Sequence, residues 1–240
     1  MCLLVLCSCG QRAELAPVVE SRWREVNSHA KRHTVVRGET LYSIAFRYDQ
    51  DYQQLATFNH LHSPYTVKVG QVLSLQPVTI AMPVVAPLRG RSYKSAIPPQ
   101  KKTPQPTIYR PNNNHAGWIW PIHGKVVAMY SPQKGKKGID IAGKKGEVIH
   151  AANGGVVAYA GSGLAGYGNL IIIKHDNQYL TAYGNNLKNL VKEGQRIRAG
   201  QIIAEIGVVD RRYWGVHFEI RKSGIPVNPL DYLKNGVGAK

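Results

Sequence analysis

Two short stretches carry residues that could do chemistry together. Residues 136–142 read Lys-Lys-Gly-Ile-Asp-Ile-Ala, and residues 215–220 read Gly-Val-His-Phe-Glu-Ile. Both alternate as β-strands do, with successive side chains on opposite faces. Ile139 and Ile141 share one face and leave Asp140 on the other. Val216, Phe218 and Ile220 share one face and leave Gly215, His217 and Glu219 opposite. A carboxylate and an imidazole on the polar sides of otherwise apolar strands can meet in one groove. Metal-dependent chemistry is open to such a pair, provided the groove supplies the remaining ligands.

The elements that position this pair fill residues 116–234, which read as nearly all β. Strands are predicted at 125–131, 148–152, 156–159, 170–174, 179–183, 201–206 and 215–221, with a helical turn at 228–233. Asn153-Gly154-Gly155 predicts a hairpin joining the second strand to the third, and Asp176-Asn177 lies between the fourth and fifth. Turn signals recur about every ten residues with no long helical period between them, which predicts antiparallel sheets in a sandwich or open barrel.

The preceding chain divides by composition. Residues 33–76 predict β-α-α-β. Thr40 caps a helix whose apolar residues Leu41, Ile44, Ala45 and Tyr48 fall at i, i+3, i+4 and i+7, and Asp51 caps a second helix. Residues 77–115 hold eight of the 14 prolines and six basic residues without an acid. That stretch predicts an extended spacer of about 3 Å per residue. Residues 10–32 predict a polar tether. All three cysteines, Cys2, Cys7 and Cys9, lie in the first nine residues, which excludes a disulfide framework or a Cys-ligated zinc site in the folded body.

The formal charge is +17 over 240 residues. Lys and Arg outnumber Asp and Glu by 14 to 6 in residues 1–115 and by 17 to 8 in residues 116–240, so the excess is spread along the chain. Such a field suits polyanionic surroundings, meaning nucleic acid, anionic lipid or an acidic envelope polymer. No nucleic-acid-binding motif accompanies it, so nucleic acid is not expected as a partner.

Four resemblances follow. Leu6-Cys7-Ser8-Cys9 resembles a bacterial lipobox, which implies lipidation of Cys9. The apolar lead before it is short and lacks basic residues, so the true translation start is expected upstream. Gly10 after that cysteine implies the periplasmic face of the outer membrane. Residues 34–45, Thr-Val-Val-Arg-Gly-Glu-Thr-Leu-Tyr-Ser-Ile-Ala, with Leu55, Asn59 and 69–73, Val-Gly-Gln-Val-Leu, resemble a LysM module. The resemblance implies binding to the N-acetylglucosamine-containing glycan of peptidoglycan, with contacts expected at Gly38, Glu39, Thr40, Leu41, Leu61, Ser63 and Tyr65.

The large domain is similar to the LytM/lysostaphin-type zinc peptidases of family M23, a fold of the duplicated hybrid motif type. The markers are Gly138-Ile139-Asp140-Ile141-Ala142, Gly166-Tyr167-Gly168-Asn169-Leu170 and His217-Phe218-Glu219-Ile220-Arg221. Active members hold zinc with a His four residues before the Asp, the Asp itself and the late His, and use two further His in catalysis. The corresponding residues here are Lys136, Asp140 and His217, with Asn185 and Gly215 at the helper positions. Catalytic zinc needs three protein ligands and an open position, and Lys136 adds a charge that opposes a divalent cation. Zinc is therefore not expected and no cofactor is predicted. His150 and His175 are not expected to substitute for the missing ligands. The chain as a whole resembles NlpD-type murein hydrolase activators. That implies a non-enzymatic role in which a groove of Lys136, Asp140, Tyr183, Asn185, Gly215 and His217 binds a periplasmic N-acetylmuramoyl-L-alanine amidase at the division septum. A Lys136–Asp140 ion pair is expected where zinc would have been. A zinc endopeptidase with an unusual site and a passive wall anchor stay open as alternatives.

Overall fold

A computed structural model describes residues 30–77, 118–176 and 178–233. Cys9, the linker beyond residue 77 and all but the last residues of the tether lie outside them. The small module runs β1 (Arg32–Thr34), α1 (Leu41–Arg47), α2 (Tyr52–Phe58) and β2 (Val72–Ser74). β1 and β2 pair antiparallel, with His33 opposite Leu73. Thr40 starts α1 as the sequence predicts. Its Oγ1 accepts from the Ser43 amide at 3.1 Å, and Ser43 Oγ accepts from the Thr40 amide at 2.9 Å. Asp51 caps α2 by accepting from the amides of Gln53 and Gln54. The face carrying Leu41, Ile44 and Ala45 closes on Leu55, Ala56 and Leu73. Asn59 clamps α2 to β2 by bonding both the amide and the carbonyl of Ser74.

The large domain contains β3 (Val126–Ala128), β4 (Ile139–Ala142), β5 (Val148–His150), β6 (Gly155–Gly161), β7 (Asn169–Lys174), β8 (Tyr179–Asn189), β9 (Arg196–Ile197), β10 (Ile202–Val209), β11 (Tyr213–Lys222) and β12 (Ile225–Val227). They form one antiparallel sheet in the order β3-β4-β11-β10-β8-β7-β6-β9, with β5 on β10 and β12 on β11. The hairpin predicted at Asn153-Gly154-Gly155 does not form. β5 pairs with β10, and β6 pairs with β7 and β9. The Gly154 carbonyl accepts from His175 Nδ1 at 2.8 Å, so this turn is fixed by a contact distant in sequence.

The sheet changes partners where the site lies. The first half of β8 pairs with β11, running from Tyr179 opposite Lys222 to Gly184 opposite His217. From Asn186 onward β8 pairs with β10. Asn185 stands at the switch with φ 61°, a left-handed conformation that Asn tolerates better than most side chains. β11 divides in the same way between β10, β4 and β8.

Both faces of β7 and β8 are covered. Ile171, Ile173, Tyr179 and Tyr183 enter the main core, while Leu170, Ile172, Leu180 and Ala182 enter a second cluster with Tyr159 and Leu164. The unbroken apolar run Leu170-Ile171-Ile172-Ile173 reflects this double burial. Phe46 of α1 completes the second cluster and is 2% exposed. The small module therefore packs directly on the large one. A Cβ at Gly224 would lie 2.2 Å from the Gln50 carbonyl carbon, so the two backbones meet where only glycine fits.

Candidate functional site

Asp140 and His217 sit directly opposite one another on β4 and β11. His217 Nδ1 meets Asp140 Oδ1 at 2.5 Å, and its Nε2 meets Glu219 Oε1 at 3.0 Å. Both partners are carboxylate oxygens, which only accept, so both ring nitrogens must donate. The ring is an imidazolium. Burial disfavours its charge, but Asp140 and Glu219 push its pKa up to about 9. Burial works to raise the Asp140 carboxyl, yet His217 and Lys136 hold it below the ordinary value. Burial likewise opposes ionisation of Glu219, and Arg221, His217 and Tyr167 hold it at about 2.

Lys136 bridges the mouth of the site. Its Nζ donates to Asp140 Oδ2 at 3.0 Å and to Asp210 Oδ2 at 2.9 Å. Asp210 comes from the tight connection between β10 and β11, where Asp210 and Arg211 both have positive φ. Tyr213 OH donates to Asp140 Oδ2 at 3.1 Å. Tyr167 OH donates to Glu219 Oε1 at 2.8 Å. Arg221 closes the inner end, its Nε donating to Glu219 Oε2 at 2.8 Å. The result is a chain of alternating charges, Asp210–Lys136–Asp140–His217–Glu219–Arg221, with Asp140, Glu219 and Arg221 essentially without solvent contact.

This donor set does not fit a divalent metal. Each Asp140 oxygen already accepts from a cationic group, both His217 nitrogens carry protons, and the Lys136 ammonium stands between two carboxylates. A catalytic metal needs lone pairs from three protein ligands, and here they are spent on the neighbours just named. Gly215 sharpens the point. A side chain there would put its Cβ 2.2 Å from the Ile141 carbonyl oxygen, so an imidazole cannot be placed at this position without moving β4.

The predicted groove residues divide. Lys136, Asp140, Asn185 and His217 line a single cleft of about 1000 Å3. Gly215 lies in the floor strand beside them, paired with Ala142. Tyr183 is not a groove residue. It is fully buried in the main core opposite Phe218, and its hydroxyl accepts from the Ala152 amide at 2.8 Å. The reason is parity, since Gly184, not Tyr183, stands opposite His217. His175 is buried between Gly154 O and Thr181 Oγ1, and burial lowers its pKa to about 4, so it is a neutral core histidine. Glu219, Arg221, Tyr167, Tyr213 and Asp210 belong to the network and were absent from the sequence-based set.

Among the expected glycan contacts, Gly38 and Ser63 are exposed, and Thr40, Leu61 and Tyr65 are half-buried. Glu39 and Leu41 are corrected as side-chain contacts. Leu41 is 1% exposed within the module's core. Glu39 is turned inward onto His33 Nε2 at 2.7 Å and Arg47 Nη2 at 2.8 Å. The cleft itself is lined by both modules. Val36, Phe46, Arg47 and Tyr48 of the small module face Lys136, Asp140, Tyr167 and His217 of the large one.

Comparison with known proteins adds the following. Residues 33–76 match the LysM domain family and residues 134–229 match peptidase family M23. The chain is 43% identical over 229 residues to a Pseudomonas aeruginosa lipoprotein NlpD/LppB homolog, covering 84% of this chain and 76% of that protein. It is 40% identical over 205 residues to the uncharacterized lipoprotein YgeR of Escherichia coli, covering 84% and 80%. It is 37% identical over 257 residues to the murein hydrolase activator NlpD of Salmonella dublin, covering 84% and 67%.

Proposed function

The chain belongs to the family of NlpD/LppB lipoproteins that join a LysM module to an M23-type domain, and from that premise we propose that it is a non-catalytic activator of a periplasmic N-acetylmuramoyl-L-alanine amidase. The observation that carries this reading is the self-satisfied site, in which Lys136 and the two protons of His217 occupy the lone pairs a metal would need. A donor set already engaged with its own neighbours cannot hold a metal to bring the pKa of water near 7, and Asn185 and Gly215 stand in place of acid–base groups, so hydrolysis has no driver. A preserved cleft without a catalyst suits recognition of another protein. The relative named a murein hydrolase activator supports the same role. In this reading the LysM module holds the chain on peptidoglycan, and lipid on Cys9 holds it to the periplasmic face of the outer membrane, so that amidase activity is released at the septum and daughter cells separate.

The test is release of labelled fragments from purified sacculi by a cognate amidase, with and without the chain. The amidase should be stimulated strongly, the chain alone should release nothing, and the purified chain should bind no stoichiometric zinc. Replacing Lys136 with methionine keeps the length of the side chain and removes the charge that anchors Asp140 and Asp210. Stimulation should then fall by about tenfold, the scale of a modest interface hot spot. Peptide-bond cleavage by the chain with bound zinc would restore the peptidase reading. Binding to sacculi without stimulation of any amidase would leave a passive anchor.

A further inference from the structure

Phe46 is the unusual residue of the small module. It lies off the Leu41, Ile44, Ala45 stripe that closes the module's own core, so α1 alone would leave it in water. In the full chain its ring is buried among Leu170, Ile172, Leu180 and Ala182 of the large domain. It lies edge-on to Tyr167 at 5.3 Å and under the Arg221 guanidinium at 3.4 Å from the ring centroid. Arg221 Nη1 also donates to the Phe46 carbonyl at 2.7 Å and to Asp49 Oδ1 at 2.8 Å. Lys137 Nζ donates to Asp49 Oδ2 at 2.6 Å. Arg47 donates to Gly163 O and Thr40 to Ala158 O, each at 3.1 Å. The end of α1 thus extends the charge chain of the groove by one anion, through Asp49–Arg221–Glu219–His217.

We infer that the LysM module is a built wall of the groove, so that the amidase-binding site is a two-module surface and not a property of the M23-type domain alone. The inference rests on the activator reading above and assigns to the same site a second contributor. A lid would fill the cleft when docked. Here the small module is docked and about 1000 Å3 stays open, with Val36, Arg47 and Tyr48 along one side. Val36 is 52% exposed at this rim, an apolar contact offered outward beside the charged floor. The occupant is a segment of the amidase that lies between the two modules, touching this rim and the Lys136–Asp140 edge together. Phe46 and Asp49 are positioning residues in this scheme. They hold the wall in place, and Arg221 transmits its position to Glu219 and His217.

The experiment uses the full chain with Phe46→Ala, Asp49→Asn and both together. Asn is chosen at Asp49 because that residue has φ 52° and Asn accepts the left-handed region. Neither change removes a residue from the LysM core, so binding to sacculi should be retained. Solution X-ray scattering should show a larger radius of gyration for the double variant, because these contacts no longer hold the two modules together. Amidase stimulation should fall by about tenfold or more in that variant. Stimulation that stays equal or rises in an undocked chain would overturn the wall and leave the activator reading intact. An unchanged radius in the double variant would overturn it too, by showing that these contacts do not hold the modules together. If the wild-type chain stimulates no amidase, the activator reading fails first and the wall fails with it.

Discussion

Replacing Arg221 with methionine should lower the unfolding free energy by about 3–5 kcal/mol, the cost of leaving a buried charge without its partner. Arg221 is 1% exposed and satisfies four acceptors at once, Glu219 Oε2, the Phe46 carbonyl, Asp49 Oδ1 and, at 3.5 Å, Tyr167 OH. Methionine matches its bulk and can still pack on the Phe46 ring, so the loss reports electrostatics more than cavity formation. What remains is Glu219, fully buried and ionised, with a single cation in His217. The double variant Glu219→Gln, Arg221→Met separates the two contributions. Removing both charges should recover about 2 kcal/mol of the loss, because a neutral amide costs less to bury than an unpaired carboxylate. Urea unfolding of the three variants at one pH checks this. A loss below about 1 kcal/mol for the single variant would place the pair on the energetic footing of a surface ion pair and sink the argument.

Arg221 also shows where the sequence was readable and where it was not. Alternation along 215–220 put Gly215, His217 and Glu219 on one polar face, and the structure adds Arg221, the next residue of the same parity. Alternation put Asp140 and His217 on the polar faces of their strands, while the adjacency of β4 and β11 that sets them directly opposite is a property of the fold. Lys136 was legible through the resemblance to the M23 peptidases, which puts it where active members carry a His, and its i, i+4 spacing from Asp140 suggested the ion pair that forms. Tyr183 shares strand parity with Asn185, which lines the cleft, but β8 switches partners at Asn185 and that switch resets which residues face the cleft. No local pattern announces a partner change.

The failed hairpin at Asn153-Gly154-Gly155 has the same origin. Turn chemistry permits a reversal, whereas the pairing is chosen by β10, some fifty residues further on. Asp210 and Tyr213 reach Lys136 and Asp140 only because the β10–β11 connection folds over the mouth of the groove. The docking of the small module left two traces in the sequence. Phe46 is an aromatic residue off the helix stripe, and the Leu170–Ile173 run is apolar on both faces. Each feature asks for a covering surface, and each is covered by the other.

Stability should pass through a maximum near pH 6.5, with its two limbs set by two histidines of opposite character. His217 is raised from 6.5 to about 9 in the folded chain. Its contribution is complete below its unfolded pKa and is lost as pH rises from there through 9. At about 1.4 kcal/mol per pKa unit the alkaline limb is worth roughly 3 kcal/mol. The groups that face the ring are Asp140 from β4, Glu219 from β11 and the hydroxyl of Tyr167 against Glu219, with Lys136 and Arg221 on the far sides of the two carboxylates. Both carboxylates stay ionised through this window, so the alkaline limb belongs to the imidazolium.

His175 works in reverse. Burial lowers it from 6.5 to about 4, so the unfolded chain takes up its proton first and stability falls as pH drops from 6.5 towards 4, again by roughly 3 kcal/mol. Glu219, held at about 2, adds a further decline as pH falls below its ordinary range. The limbs can be dissociated. His217→Gln should lower stability at pH 6 and flatten the curve between pH 7 and 9 while leaving the acid limb in place, because His175 and its partners Gly154 and Thr181 are untouched. Urea midpoints across pH 4–9 for the two proteins measure both limbs, and proton titration of the His217 ring by NMR measures the cause directly. A His217 ring that titrates near 6.5, or an alkaline limb that survives in His217→Gln, would mean that the groove does not hold an imidazolium between its carboxylates. Lys136 would then be the cation that meets Asp140 where a metal would sit.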